Sequence, residues 1–369
     1  MKQKKIGILT FHYGSNYGGV LQSYALQQAI IKMGYSDVSI INCIPKKWYW
    51  FLIGIPLNFS YEAFYKVWLK IRYGYCCRKN FDDFRKKYLK CTDFVSEKQL
   101  PFIANKYDVI ICGSDQIWNP SQHIHRIYFL NWDPGYVGRR IAYAPCCTKN
   151  IVLDENRIIL QKALLSYDFI SVRNIETQHF VRDLISEEVP IVPDPTILID
   201  FKPFIRESIP FNYPYVLTYI LGKDIDGTNS NAIQKIREAY SGCRIIAVVI
   251  ASSNPVDCSW ADTILYDVSP VEWLNLIYHA TLIFTDSFHG VLFSMKFKVP
   301  FIAYYTDELR KSRFIDLKER YGIHRNIVTS VNELKQFLYL HSYDPKYFEN
   351  QLRNQENVGY SFLQKALSD

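Results

Sequence analysis

Residues 5–44 read KIGILTFHYGSNYGGVLQSYALQQAIIKMGYSDVSIINCI. Lys5–Phe11 is a short apolar run of the length and composition of a buried strand. His12–Gly19 is a loop rich in Gly and Asn. Val20–Met33 then places Val20, Leu21, Tyr24, Ala25, Ala29, Ile30 and Met33 near helical spacing, and Gly34 closes the run as helix-ending glycines do. Val38–Ile44 is a second apolar strand. Strand, helix, strand in this order is a βαβ unit, so the chain opens as an α/β protein with a parallel sheet.

The alternation continues outward. Tyr107–Cys112, Arg140–Ala144, Phe169–Val172 and Val189–Val192 read as further strands, with a helix near Glu155–Ser166. Prolines then gather around Phe201–Pro214, which marks a linker. A second series follows it. Strands are expected at Tyr215–Leu221, Arg244–Ile250, Thr263–Tyr266, Leu282–Thr285 and Pro300–Tyr304. Helices are expected at Asn229–Tyr240, Pro270–His279 and Ser287–Lys296, with a helical tail near Asp344–Leu367. The expectation is two Rossmann-like domains facing across a cleft. Residues 1–204 would form the first, with a basic aromatic insert at about 46–90, and 205–369 the second. Ligands of such folds bind at the carboxyl ends of the strands.

The composition agrees. The chain has 369 residues, 49% hydrophobic and 21% charged, which excludes a disordered chain or a disulfide-stapled miniprotein. The nine cysteines are odd in number, include two vicinal pairs and contain no CxxC, so neither a disulfide framework nor a thiolate zinc site is expected. His123 and His125 are poorly spaced for a metal, and none is expected. The basic N-terminus precedes an apolar stretch too short for a signal core, and no long apolar span follows. A cytoplasmic protein is expected.

Nearly all the charge sits in one place. Residues 61–90 carry nine Lys/Arg against three Asp/Glu, which is +6 of the chain's +7. Tyr61, Phe64, Tyr65, Trp68, Tyr73 and Tyr75 are interleaved with them. That mixture suits the inner face of a membrane, where rings sit among headgroups and cations meet anionic lipid. It equally suits an amphipathic insert packed on its own domain. RNA is set aside, a basic stripe alone being weak ground, and no nucleic-acid partner is expected.

Three loops carry chemistry. Thr285-Asp286-Ser287-Phe288-His289-Gly290 lies between an apolar strand and a helix, where N–H groups and the positive helix end favour an anion. Ser287 reads as an N-cap, and His289 in the first turn suits proton transfer; the same pattern also describes a cap followed by an ordinary packed His. Gly113–Pro120 crowds Ser114, Asp115, Gln116, Trp118 and Asn119 at a strand's carboxyl end. An indole among amides and a carboxylate suits a sugar, and a capping loop is the plainer alternative. Arg173 ends a strand, placed for a carboxylate or phosphate fork or for an ordinary salt bridge, and Arg313 is a second cation. The first loop lacks both nucleotide-binding fingerprints, so NAD or ATP gains little support.

Taken in order, these pieces resemble the polysaccharide pyruvyl transferase family. The matching stretches are Ile6–Phe11 with Asn16–Gln22; Tyr107–Ile110 with Gly113–Asn119; Ile141–Ala144; Ile170–Arg173; Asp194–Thr196; and Thr285–Gly290. Asn174 departs from the family's usual acidic residue, and Pro145-Cys146-Cys147 replaces a run of small residues. The resemblance implies a glycosyltransferase-B-like fold and transfer of pyruvate from phosphoenolpyruvate to two hydroxyls of a sugar, forming a ketal and releasing phosphate. Phosphoenolpyruvate is then a co-substrate, with no tightly bound cofactor. On this reading Ser287, Phe288 and Gly290, with Arg173 or Arg313, hold the donor. His289 is the acid or base, and Asp115 or Asp286 takes the hydroxyl proton. The acceptor, a sugar of a cell-surface polysaccharide or its lipid-linked oligosaccharide precursor, sits near Asn16, Tyr17, Gly18, Gln22, Ser114, Gln116, Trp118 and Asn119. The basic insert would face the inner membrane. A nucleotide-sugar-dependent glycosyltransferase and a non-catalytic glycan-binding protein are the competing readings, because a fold alone does not fix a function.

Overall fold

The computed structural model describes residues 4–45, 61–118, 126–132, 135–147, 152, 154–252, 256–306, 308–339 and 345–368. The first sheet has five parallel strands, β1 (Ile6–Leu9), β2 (Val38–Ile40), β3 (Val109–Cys112), β4 (Arg139–Ala142) and β5 (Phe169–Ile170), in the order β2-β1-β3-β4-β5. The second has six, β6 (Tyr215–Tyr219), β7 (Arg244–Val248), β8 (Thr263–Leu265), β9 (Leu282–Thr285), β10 (Phe301–Tyr304) and β11 (Ile327–Val328), in the order β11-β10-β9-β6-β7-β8. Their strands are continuous apolar runs because helices cover both faces.

The helices are α1 (Tyr17–Lys32), α2 (Tyr61–Tyr88), α3 (Leu100–Ala104), α4 (Asp154–Leu164), α5 (Ile175–Ile185), α6 (Asn229–Ala239), α7 (Pro270–Tyr278), α8 (Phe288–Phe297), α9 (Glu308–Tyr321), α10 (Val331–Tyr339) and α11 (Pro345–Leu367). Helix α1 starts three residues before the expected Val20, because Asn16 is its N-cap and accepts from Gly19 N at 3.0 Å. The expected strand at Val189–Val192 is reduced to a single bridge, Val172 to Ile191. Asn119, His123, His125 and residues 46–60 of the insert lie outside the described residues.

Each sheet has an apolar cluster of its own, and the two also share a core. One apolar cluster runs from Ile8, Leu21 and Leu26 beside the first sheet to Leu217, Trp273 and Phe293 beside the second. The Pro-rich connection joins this cluster, since Phe201 and Phe204 are buried in it against Tyr24. Two further elements tie the halves together. Helix α11 follows the second sheet, yet it returns to the first: Lys4 Nζ and Tyr35 Oη donate to Leu367 O at 2.7 and 3.0 Å. Helix α2 precedes the second sheet, yet Tyr73 stacks on Tyr266 at 4.7 Å and Asn80 donates to Asp267 O. The insert therefore straddles both halves and does not simply pack on its own.

Candidate functional site

The carboxyl ends of both sheets converge. Five pieces meet there: the loop after β3, the segment after β5, the Asp194 turn, the β9–α8 turn and helix α9. At the centre is Arg173, almost wholly buried. Its Nη1 donates to Asp194 Oδ2 at 2.7 Å, and its Nη2 reaches Asp115 Oδ1 at 3.3 Å and Cys146 Sγ at 2.8 Å. The guanidinium lies 4.5 Å above the ring of Phe288. Burial alone would lower its pKa, but Asp115 and Asp194 reverse that and hold it charged. Burial pushes the Cys146 thiol up to about 11, so it stays neutral beside the cation.

Asp194 joins the two halves. Its Oδ1 accepts from Thr196 N and Oγ1, which fixes the carboxylate, while Oδ2 takes Arg173 on one side. On the other side His289 Nε2 lies 3.4 Å away. Burial would raise the Asp194 carboxyl; His289, Arg173 and the Thr196 N–H outweigh it and hold it well below the usual carboxylate range. A buried carboxylate at ion-pair distance favours the imidazolium that a general acid must carry, although Nε2 makes no hydrogen bond among the described residues.

His289 opens α8. Ser287 caps this helix, its Oγ accepting from Gly290 N at 3.2 Å. The first-turn N–H groups of Phe288 and His289 have no intrahelical acceptor, and with the helix dipole they form an anion-favouring end. The side chain of His289 keeps 11% of its exposure at the junction of the halves. Its ring packs directly on Gly18, where a Cβ would come 2.0 Å from Nδ1.

Helix α9 supplies three more arginines. Arg310 pairs with Asp286, and Arg320 pairs with Asp316 at 2.7 Å while donating to Arg173 O. Arg313 crosses from the second half to the first, where the Gln116 amide oxygen, assigned to face it, lies 2.6 Å from Nη1. Burial lowers the Arg313 pKa, and among the described residues no carboxylate lies within ion-pair distance of it. A half-buried guanidinium answered, among the described residues, by an amide and by no carboxylate is a seat for an anion.

The structure sorts the remaining expected residues. Asp286 is held fast. Its oxygens accept from Leu221 N and Gly222 N at 2.7 Å each and from Arg310, so it pins the turn after β6. Burial raises its carboxyl against those three donors. Asp115 has φ of 80°, a left-handed conformation that aims its carboxylate at Arg173. Trp118 is a correction: it is fully buried, stacked on Phe129 with its indole N–H on Tyr128 O, and offers no ring face to a sugar. Tyr17 is buried too, stacked on Trp273 and donating to Val268 O, so it joins the two halves. Gln22 and Ser114 are buried; Ser114 N donates to Gln22 Oε1, and Gln22 Nε2 donates to Thr10 Oγ1. Only Asn16 and Gln116 keep accessible side chains among the described acceptor-side candidates.

Sequence reading missed Asp194, Cys146 and Arg310 as site residues. Asp194-Pro195-Thr196 after an apolar run was the available signal for the first. Nothing local singles out the other two. Among the described residues no group of three or more His, Cys, Asp or Glu is placed to hold a metal, and no helix is long and apolar enough to cross a membrane.

A family model described as polysaccharide pyruvyl transferase matches residues 16–308. No curated protein matches the chain. Among solved structures, a putative UDP-N-acetylglucosamine 2-epimerase from Listeria monocytogenes is similar, with TM-score 0.54 and 10% identity over 97% of this chain and 91% of that one. The UDP-GlcNAc 2-epimerase of Methanocaldococcus jannaschii, solved with UDP-GlcNAc and UDP, gives 0.52 and 15% over 96% and 99%. The glycotransferase of kitacinnamycin gives 0.50 and 10% over 99% and 98%. At these identities the likeness is one of fold, and the fold is glycosyltransferase-B-like.

Proposed function

The chain belongs to the polysaccharide pyruvyl transferase family, and from that premise we propose that it transfers pyruvate from phosphoenolpyruvate to two hydroxyls of one sugar. The observation that carries this reading is the Arg173–Asp194–His289 cluster beside Arg313 and the start of α8. The donor bears a phosphate and a carboxylate. Arg313 and the first-turn N–H groups of α8 are the groups that meet these anions.

Protons and bonds balance as follows. His289, oriented by Asp194, protonates the donor methylene, which becomes a methyl group. One sugar hydroxyl adds at the adjacent carbon and loses its proton to a base, for which Asp115 is our candidate. The C–O bond to phosphate breaks, and the second hydroxyl closes the ketal. Two hydroxyl protons are released in all; one replaces the proton delivered to the methyl group and the other leaves with phosphate. Asp286 acts in this scheme through the turn that it holds. With Trp118 buried, the acceptor rests on the rim made by Asn16, Gln116 and the half-buried Tyr13. The acceptor is a cell-surface polysaccharide unit or its lipid-linked precursor, met at the cytoplasmic face of the membrane.

The test is incubation with phosphoenolpyruvate and a panel of galactosides, mannosides and N-acetylhexosamines, read by mass for one added pyruvate ketal and by released phosphate. His289→Ala should lose both signals. Full phosphate release by that variant would overturn the role of His289. Stabilisation by UDP- or GDP-sugars and not by phosphoenolpyruvate in a thermal-shift screen would replace the reading with glycosyl transfer.

A further inference from the structure

Helix α2 is apolar on two sides. Its inner side is buried: Leu69, Cys77, Phe81 and Phe84 enter the protein, and Gly74 faces Ser252. Its outer side carries Phe64, Trp68, Ile71 and Tyr75. These positions follow i, i+4, i+7, i+11, so they form one stripe on a single face. They are 70%, 46%, 77% and 69% exposed. Trp68 leans on Tyr65 and Tyr73, while Phe64, Ile71 and Tyr75 stand well exposed and the inner side anchors the helix to both halves.

The stripe is set in positive charge. Arg72, Arg78 and Lys79 are exposed beside it, and the surrounding segment holds +6 of the chain's +7. Asp83 answers Lys79, while among the described residues no acidic side chain pairs with Arg72 or Arg78. The arginine at 72 lies over the ring of Tyr73.

We infer that the outer face of α2 is a docking surface for an anionic lipid bilayer. Aromatic and aliphatic side chains enter the headgroup region, and the flanking cations meet lipid phosphate. A second copy of the chain is disfavoured on this face, since it would bring two strongly positive helices together. RNA also meets cations and rings, but Ile71, the most exposed member of the stripe, has no ring to stack on a base. This inference stands apart from the chemistry of the cleft and holds whichever donor the protein uses.

The experiment is co-sedimentation of the full chain with vesicles of phosphatidylcholine alone or mixed with phosphatidylglycerol, at low and high salt. Binding is expected only to the mixed vesicles, and salt should weaken it. Arg72→Gln and Arg78→Gln should each weaken binding about fivefold. Trp68→Ser with Ile71→Ser should abolish it, and so should Phe64→Ser with Ile71→Ser, whose side chains are the most exposed, with circular dichroism and Tm at wild-type values in this second variant. Lipids brominated in the acyl chain should quench tryptophan emission in wild type, and Trp68→Phe should lose that quenching while still sedimenting. Absence of wild-type binding to the mixed vesicles overturns the inference. So does binding that survives the Trp68→Ser, Ile71→Ser change, or a stripe whose loss alters only self-association or RNA retention.

Discussion

The backbone of Gly18 and the imidazole of His289 are in direct packing contact across the two halves: a Cβ on residue 18 would stand 2.0 Å from Nδ1. The glycine is therefore a matter of space. It lets the first turn of α1 close on the first turn of α8, and the contact fixes one edge of the ring while Asp194 fixes the other.

Gly18→Ala should displace the ring, because the start of α1 is buried and has no room to retreat. A shift of about 1 Å at a proton-transfer group costs on the order of 100-fold in rate, and overpacking costs about 1–3 kcal/mol. Phosphate release should fall far more than Tm. Retained turnover would show that the ring position does not matter.

Asp194→Asn removes the charge between Arg173 and His289. Breaking a buried pair costs roughly 3–5 kcal/mol, measured by urea unfolding at neutral pH. The sign with pH follows from the depressed carboxyl of Asp194. Its contribution is full above about pH 4, the unfolded value, and fades as pH falls further toward the folded one. The gap between wild type and variant should persist at pH 5.

Arg313→Met should separate stability from function. Arg313 is a half-buried cation with an amide and, among the described residues, no carboxylate beside it, so removing it should leave Tm unchanged or raise it. The KM for phosphoenolpyruvate should rise about tenfold or more, the worth of a charge-assisted hydrogen bond. A lower Tm with an unchanged KM would make Arg313 structural.

Trp118→Phe should leave the KM for the sugar acceptor unchanged. It removes the indole N–H donated to Tyr128 O, at a cost of about 1–2 kcal/mol in urea unfolding. A specific rise in acceptor KM would return the indole to the binding surface.

Lys296, on α8, gives a second pH signature. Burial pushes its ammonium down to about 8, against the pull of Glu356 and Asp200. Below that pH the folded chain carries a buried charge. As pH rises toward the unfolded value of about 10.4, the folded state releases a proton that the unfolded state keeps, so stability is gained. Lys296→Met should be more stable than wild type at pH 7, and the advantage should shrink by pH 10. Parallel unfolding curves at both pH values would rule this out.

Local pattern alone disclosed every strand except β11, with one too many at Val189–Val192, most of the helices and the identity of the loops at the strands' carboxyl ends. Those features are local: periodicity, caps such as Asn16 and Ser287, and breaks at Gly34 and the prolines act within a few residues. Tertiary structure alone decided which loop residues face the junction. Gln116 and Trp118 lie two apart in one loop, yet Trp118 is buried against Phe129 while Gln116 keeps an accessible side chain, because burial depends on what the rest of the chain places opposite. It also decided that Asp194 stands between Arg173 and His289, residues 116 positions apart in sequence (289 − 173). Charge pairing and close packing act through space, and no spacing along the chain encodes that distance.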